Sequence, residues 1–199
     1  MTWDELQAQC MQCKQCELGQ TRTNLVFGVG NPESEVLFIG EGPGQQEDLK
    51  GEPFVGRSGQ LLDKYLAAVD LDRRRNIYIA NMVKCRPPGN RDPKPEEQDI
   101  CMRWLKAQVA LMRPKIIVCL GRIAAQRVIN KDFKVTKEHG MFFEHNGILR
   151  MGMYHPAVLL RDPGKKEDAL ADFLTLRDKI SEICERTYCN SECVIRNAE

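Results

Sequence analysis

An α/β fold, with a central, mainly parallel four-stranded sheet between two layers of helices, is what this sequence predicts. Three observations predict it. Four segments read as buried strands, the segments between them carry apolar residues at helical spacing, and 199 residues suit one core but are few for two large domains. Strands alternating with helices need crossover connections, which leave a parallel sheet covered on both faces.

The first strand is EVLFIG, residues 35–40. It runs into GEGPGQQEDLKGEPFVG, residues 40–56, a stretch dense in glycine and acid with a single aromatic, Phe54. Such a turn commonly cradles phosphate. Here Glu41, Glu47 and Asp48 place negative charge where a phosphate grip wants none, and the Walker lysine is missing, which argues against a small-molecule phosphate enzyme. Ser58 is expected to cap the next helix, with Leu61, Leu62, Tyr65, Leu66 and Val69 on its apolar face. NIYIANMV, 76–83, is the second strand. A helix over 94–112 follows Pro93 and Pro95, with Ile100, Trp104, Leu105, Leu111 and Met112 on its apolar side and Arg113-Pro114 as its stop. KIIVCLG, 115–121, is the third strand, and RIAAQRVIN forms a short helix directly after Gly121. ILRMGMYH, 148–155, is the fourth. A last helix over 166–184 places Leu170, Phe173, Leu174, Ile180 and Ile183 on one stripe. One domain over 1–183 is expected, followed by a cysteine-containing tail, 184–199.

Composition excludes several classes. A net charge of +1 gives no overall field to draw the chain onto nucleic acid or an anionic membrane, so any DNA contact must come from a local patch. No apolar run approaches the roughly 18 residues of a membrane span, and MTWDELQAQC has no basic region before an apolar core, unlike a secretory signal. A cytoplasmic location is expected. Nine cysteines, an odd number, favour metal binding over a disulfide framework.

In open α/β sheets ligands bind outside the carboxyl ends of the strands, and the unusual residues fall there. CMQCKQC brings Cys10, Cys13 and Cys16 together, with Cys85 and Cys101 far downstream. A local ferredoxin run would need a fourth cysteine where Gln20 stands, so the alternative is a non-local thiolate site, for zinc or an iron–sulfur cluster. Ordinary buried thiols are the plainer reading, and Cys119, inside a strand, suits it. KCRPPGNR holds Lys84, Arg86 and Arg91 without an acid, as a DNA-backbone clamp or a solvated loop. YHPAVLLR sets His155 at a strand end and Leu159, Leu160 and Arg161 beyond it; apolar wedges beside basic residues prise bases from a duplex. Cys184, Cys189 and Cys193 are either a second metal site with Cys10 or incidental thiols.

Together GEGPG…ED, GEPFVGRSGQLLD, NMVKCRPPGNR and HPAVLLR closely resemble, in order and spacing, the family 4 (iron–sulfur) uracil-DNA glycosylases, from about Cys13 to Arg161. The resemblance implies a DNA repair enzyme that flips uracil out of DNA and hydrolyses its N-glycosidic bond, leaving an abasic site. It implies that Phe54 stacks on the base, that Gly42, Pro43 and Gly44 approach its edge, that Asn81 recognises that edge, and that His155 stabilises charge on the leaving uracil. The superfamily's usual water-activating aspartate falls on Gly42, so Glu41, Glu47 and Asn90 are the candidates for that role, in that order. Lys84, Arg86, Arg91 and Arg161 would meet phosphates, with Leu159 and Leu160 as the wedge. Cys13, Cys16, Cys85 and Cys101 match the family's ligands to a [4Fe–4S] cluster, with Cys10 a bystander. Expected partners are uracil-containing DNA, single- or double-stranded, and, as a candidate, a replication clamp; a monomer is expected. The competing reading is a non-catalytic or polymerase-associated nucleic-acid-binding module of the same fold.

Overall fold

The computed structural model describes residues 1–188; Cys189 and Cys193 lie outside the described residues. Strands β1 (Val29–Gly30), β2 (Val36–Gly40), β3 (Tyr78–Asn81), β4 (Ile116–Leu120), β5 (Phe142–His145) and β6 (Ile148–Met153) form one sheet in the order β1-β3-β2-β4-β6-β5. The central four, β3, β2, β4 and β6, are parallel and are the four that the sequence predicts. Two antiparallel edges bring the sheet to six strands rather than four. β1 has two residues, too few for a periodicity. β5 is readable in retrospect: His145 pairs with Ile148 across Asn146-Gly147, both at positive φ, the two-residue turn that Asn-Gly favours.

The helices are α1 (Trp3–Met11), α2 (Leu18–Thr21), α3 (Gln45–Lys50), α4 (Arg57–Ala68), α5 (Pro95–Met112), α6 (Arg122–Val128), α7 (Val135–Glu138), α8 (Pro156–Arg161) and α9 (Lys166–Ile183). Alternate residues of β2 serve opposite layers. Val36 and Phe38 pack towards Leu62 and Leu66 of α4 and Phe173 and Leu176 of α9, whereas Leu37 and Ile39 pack towards Leu105 of α5 and Ile123 of α6. No described helix is long and apolar enough to cross a membrane.

Three local expectations change. α4 is capped by Gly56 rather than Ser58, which lies in its first turn; the Glu47 carboxylate takes the Gly56 N–H at 2.9 Å and starts the helix earlier. On α9 the buried stripe is Ala169, Phe173, Leu176 and Ile180, while Leu170 and Leu174 are exposed. On α5 Ile100 and Leu111 face outward, and Cys101 and Gln108 take their places beside Trp104, Leu105 and Met112.

Residues 184–188, the start of the expected tail, pack beneath the amino ends of β2 and β4. The buried Glu35 carboxylate accepts from the Arg186 N–H at 2.7 Å and pairs with Lys115 at 3.1 Å, and Tyr188 donates to the Val69 carbonyl at 2.9 Å.

The register of α9 is open to test by unfolding. Phe173→Ala should cost about 3–5 kcal/mol, and Leu174→Ala should stay within about 0.5 kcal/mol of wild type. The reverse order would mean that α9 presents its other face.

A candidate active site at the carboxyl ends of the parallel strands

The carboxyl ends of β2, β3, β4 and β6 open into a cleft of about 850 Å³. Glu41, Asn81, Gly121 and His155 each line it from the end of a different strand, and Phe54 lines it from the loop between α3 and α4. Gly42, Pro43, Gly44, Glu47 and Asn90 border it as well.

Phe54 is buried and sits at φ 53°, a left-handed conformation unfavourable for a side chain with a Cβ. The loop is held there from two sides. Arg73 donates to the Pro53 carbonyl at 2.7 Å and the Phe54 carbonyl at 2.8 Å, and its Nε donates to Asp63 at 2.8 Å. Glu47 accepts the Val55 and Gly56 N–H groups, both at 2.9 Å. Gly59 completes the clamp, since a Cβ there would lie 1.7 Å from the Phe54 carbonyl oxygen. Arg73 and Gly59 carry no signal in the linear sequence, because what they touch is backbone.

Asn81 is buried, and among the described residues its Oδ1 has no hydrogen-bond donor. It faces Phe54 across Gly40, where a Cβ would come within 2.3 Å of Asn81 Oδ1 and 2.7 Å of the Phe54 ring. His155 caps α8: its Nδ1 accepts from the Ala157 N–H at 3.1 Å, so in the neutral ring the proton sits on Nε2. Burial, with Arg161 adding to it, lowers the His155 pKa to about 4, so the ring is neutral near pH 7. The Phe54 and His155 ring centres lie 5.6 Å apart. Burial raises the Glu41 carboxyl to about 7; Asp92 pushes the same way and Arg122 opposes it. Glu41 is thus a group able to exchange a proton near neutrality. Glu47 serves the loop, and Asn90 Oδ1 accepts from Arg86 Nε at 2.7 Å.

The structure redistributes the expected DNA contacts. Lys84 is 0% exposed, its Nζ donating to Gln108 Oε1 at 2.6 Å, so it cannot reach a phosphate. Arg91 is held by both oxygens of Glu97, at 2.8 and 2.6 Å. Arg86 and Arg161 remain near the surface, and Arg57, Arg122 and Lys165 join Arg161 at the cleft. AVLL is part of α8, which turns Leu159 into the core at 1% exposure and leaves Leu160 outside at 37%. A two-leucine wedge is therefore reduced to Leu160.

Cys13, Cys16, Cys85 and Cys101 line a second, much smaller hollow with Lys84 and Trp104. Hydrogen bonds reach three of the sulfurs: Arg22 Nη1 to Cys85 at 3.0 Å, the Lys84 N–H to Cys101 at 3.2 Å, and Arg103 to Cys13 at 3.8 Å. Cys10 is buried behind them and Cys119 is in the sheet core.

Comparison with known proteins gives a consistent result. The family described as the uracil DNA glycosylase superfamily matches residues 27–175. A Type-4 uracil-DNA glycosylase of Archaeoglobus fulgidus is 43% identical over 189 residues, covering 91% of this chain and 92% of its own. One from Thermotoga maritima is 43% identical over 153 residues, covering 76% and 79%. A DNA polymerase of Bacillus phage SP01 is 28% identical over 173 residues, 82% of this chain but 19% of its own.

Two outcomes are expected. Gly59→Ala should lower stability by about 1–3 kcal/mol, read by unfolding, because the Phe54 loop must shift. For Glu41, whose folded pKa lies above its ordinary 4.5, the native state binds the extra proton between pH 4.5 and about 7, so its contribution to stability falls as pH rises through that window. His155, lowered to about 4, acts in the opposite sense between 4 and 6.5. The difference in unfolding temperature between wild type and Glu41→Gln isolates the Glu41 term and should decline from pH 4.5 to 7.

Proposed function

The chain belongs to the uracil DNA glycosylase superfamily, and we propose that the cleft receives a uracil extruded from DNA, with the residues around it assigned as follows. The chain is a uracil-DNA glycosylase, a DNA repair hydrolase acting on N-glycosyl bonds.

The observation that carries the assignment is the unpaired, buried Oδ1 of Asn81 beside the Phe54 ring. A buried acceptor without a donor costs about 1–3 kcal/mol, and a ligand that supplies the donor removes that penalty. Uracil offers N3–H as donor and O4 as acceptor, matching the two ends of an amide; cytosine presents the reverse pattern. Phe54, locked at its loop, supplies a flat apolar face. The neutral His155 donates Nε2–H to the uracil oxygen on which charge gathers as the bond breaks, and it does so without losing its own proton. Glu41, ionised above about pH 7, accepts a proton from the attacking water. Glu47 is a positioning residue that keeps Phe54 in place. Arg86, Arg161 and the cleft cations Arg57, Arg122 and Lys165 hold phosphates, which fixes register on the strand.

The thiol hollow suits a [4Fe–4S] cluster in its donor chemistry: four cysteines from three chain segments with N–H donors aimed at their sulfurs. Among the described residues no three His, Cys, Asp or Glu converge tightly enough for a single ion. When bound, the group would cross-link the segment after α1 to Cys85 and to α5; hydrolysis of an N-glycosyl bond asks no electron of it. The similarity to part of a phage DNA polymerase favours one second reading, a polymerase-linked binding module.

A single-turnover assay on an end-labelled oligonucleotide with one uracil, followed by alkali, tests the assignment. Asn81→Ala and His155→Ala should each slow excision about 10²–10³-fold, and Glu41→Gln should remove a rise in rate centred near pH 7. Full activity in either alanine variant would remove that residue from its role, and an intact strand with folded wild-type protein would favour the binding module. Cys85→Ser should lose iron and soluble protein together, and a stable, active, iron-free variant would contradict the cluster.

A further inference from the structure

Lys84 is wholly buried, yet among the described residues its ammonium forms no ion pair with a carboxylate. Its hydrogen bond runs to a neutral acceptor, Gln108 Oε1, at 2.6 Å, and the Phe27 ring centre lies 5.8 Å from Nζ. Gln108 is buried too, and its amide nitrogen donates to the Phe27 carbonyl at 3.0 Å, which turns Oε1 towards the lysine. This arrangement orients the ammonium but does not neutralise it. A cation so far from water is strongly unfavourable unless an anion offsets it.

The candidate anion is adjacent. Lys84 borders the hollow lined by Cys13, Cys16, Cys85 and Cys101, precedes Cys85 in the chain, and donates its backbone N–H to Cys101 at 3.2 Å. We infer that Lys84 is the buried counter-charge of the iron–sulfur centre, its ammonium set against the net negative charge that four thiolates bring to that hollow. The inference rests on the cluster reading above. It explains why a lysine from a basic, phosphate-clamp-like motif is turned inward: the motif divides between the two sites, with Arg86 left to the surface and Lys84 given to the cysteines.

Lys84→Met keeps an unbranched side chain one atom shorter and deletes the charge. In protein purified anaerobically with its cluster, iron should pass to a ferrous chelator about tenfold faster than from wild type, the usual scale for losing an outer partner of a metal site. The reduction potential should move negative, because the added electron loses a nearby cation. Lys84→Gln carries the same test if the methionine variant is insoluble. An unchanged potential and unchanged iron release would overturn the inference, leaving Lys84 a packing partner of Gln108. Wild-type protein with neither iron nor acid-labile sulfide would overturn the cluster reading itself, an outcome distinct from the first.

Discussion

Everything at the cleft depends on the parallel pairing of four central strands. Parallel strands bring all their carboxyl ends to one side, so four residues far apart in the chain, Glu41, Asn81, Gly121 and His155, meet without any long excursion of backbone. The register matters as much as the direction. Gly40 is the partner of Asn81 across β2 and β3, which sets the glycine beside the amide and opens the space in which Asn81 faces Phe54. A slip of one residue would turn Asn81 to the opposite face of the sheet. Side chains of different size fill the two close-packed layers on either face of β2, so a slip would exchange them and break both cores, and the core that stabilises the fold also aims the site.

A second constraint lies in the loop around Phe54. A left-handed φ costs a residue with a Cβ about 1–2 kcal/mol, whereas a hydrogen bond to a charged group contributes about 1.5–3 kcal/mol. Arg73 gives two such bonds to carbonyls and Glu47 accepts two from amides, so the clamp outweighs the strain. The cation takes the carbonyls and the anion the amides of one short backbone segment. The aromatic platform is therefore fixed before any ligand arrives, and binding need not expend free energy in ordering it.

The cysteine region has a different physical character. Its core, built on Leu6, Leu18, Leu25, Phe27 and Trp104, is separate from the two that flank the sheet. Arg22 ties it together by donating to the Met11 and Cys13 carbonyls and to the Cys85 sulfur. A small satellite core of this kind would gain much from the proposed metal centre, since a bound centre adds its binding free energy to folding.

The sequence alone determined the α/β class, the four parallel strands, and the residues gathered at their ends, because buried strands and strand-end motifs are local patterns that survive being read one residue at a time. The family resemblance its motifs carry also singled out the four cysteines that share one hollow. The direction in which a side chain points was left to tertiary structure. Lys84, Leu159, Leu170 and Ser58 each have the right chemistry for the role their neighbours suggest, yet helix phase and competition for backbone partners send them elsewhere. Arg73, Gly59 and Gly40 act on backbone or on neighbours distant in sequence, contacts that leave no linear trace. Residue type and spacing specify which chemistry is available; burial and register, set only when the sheet is assembled, decide which atoms can use it.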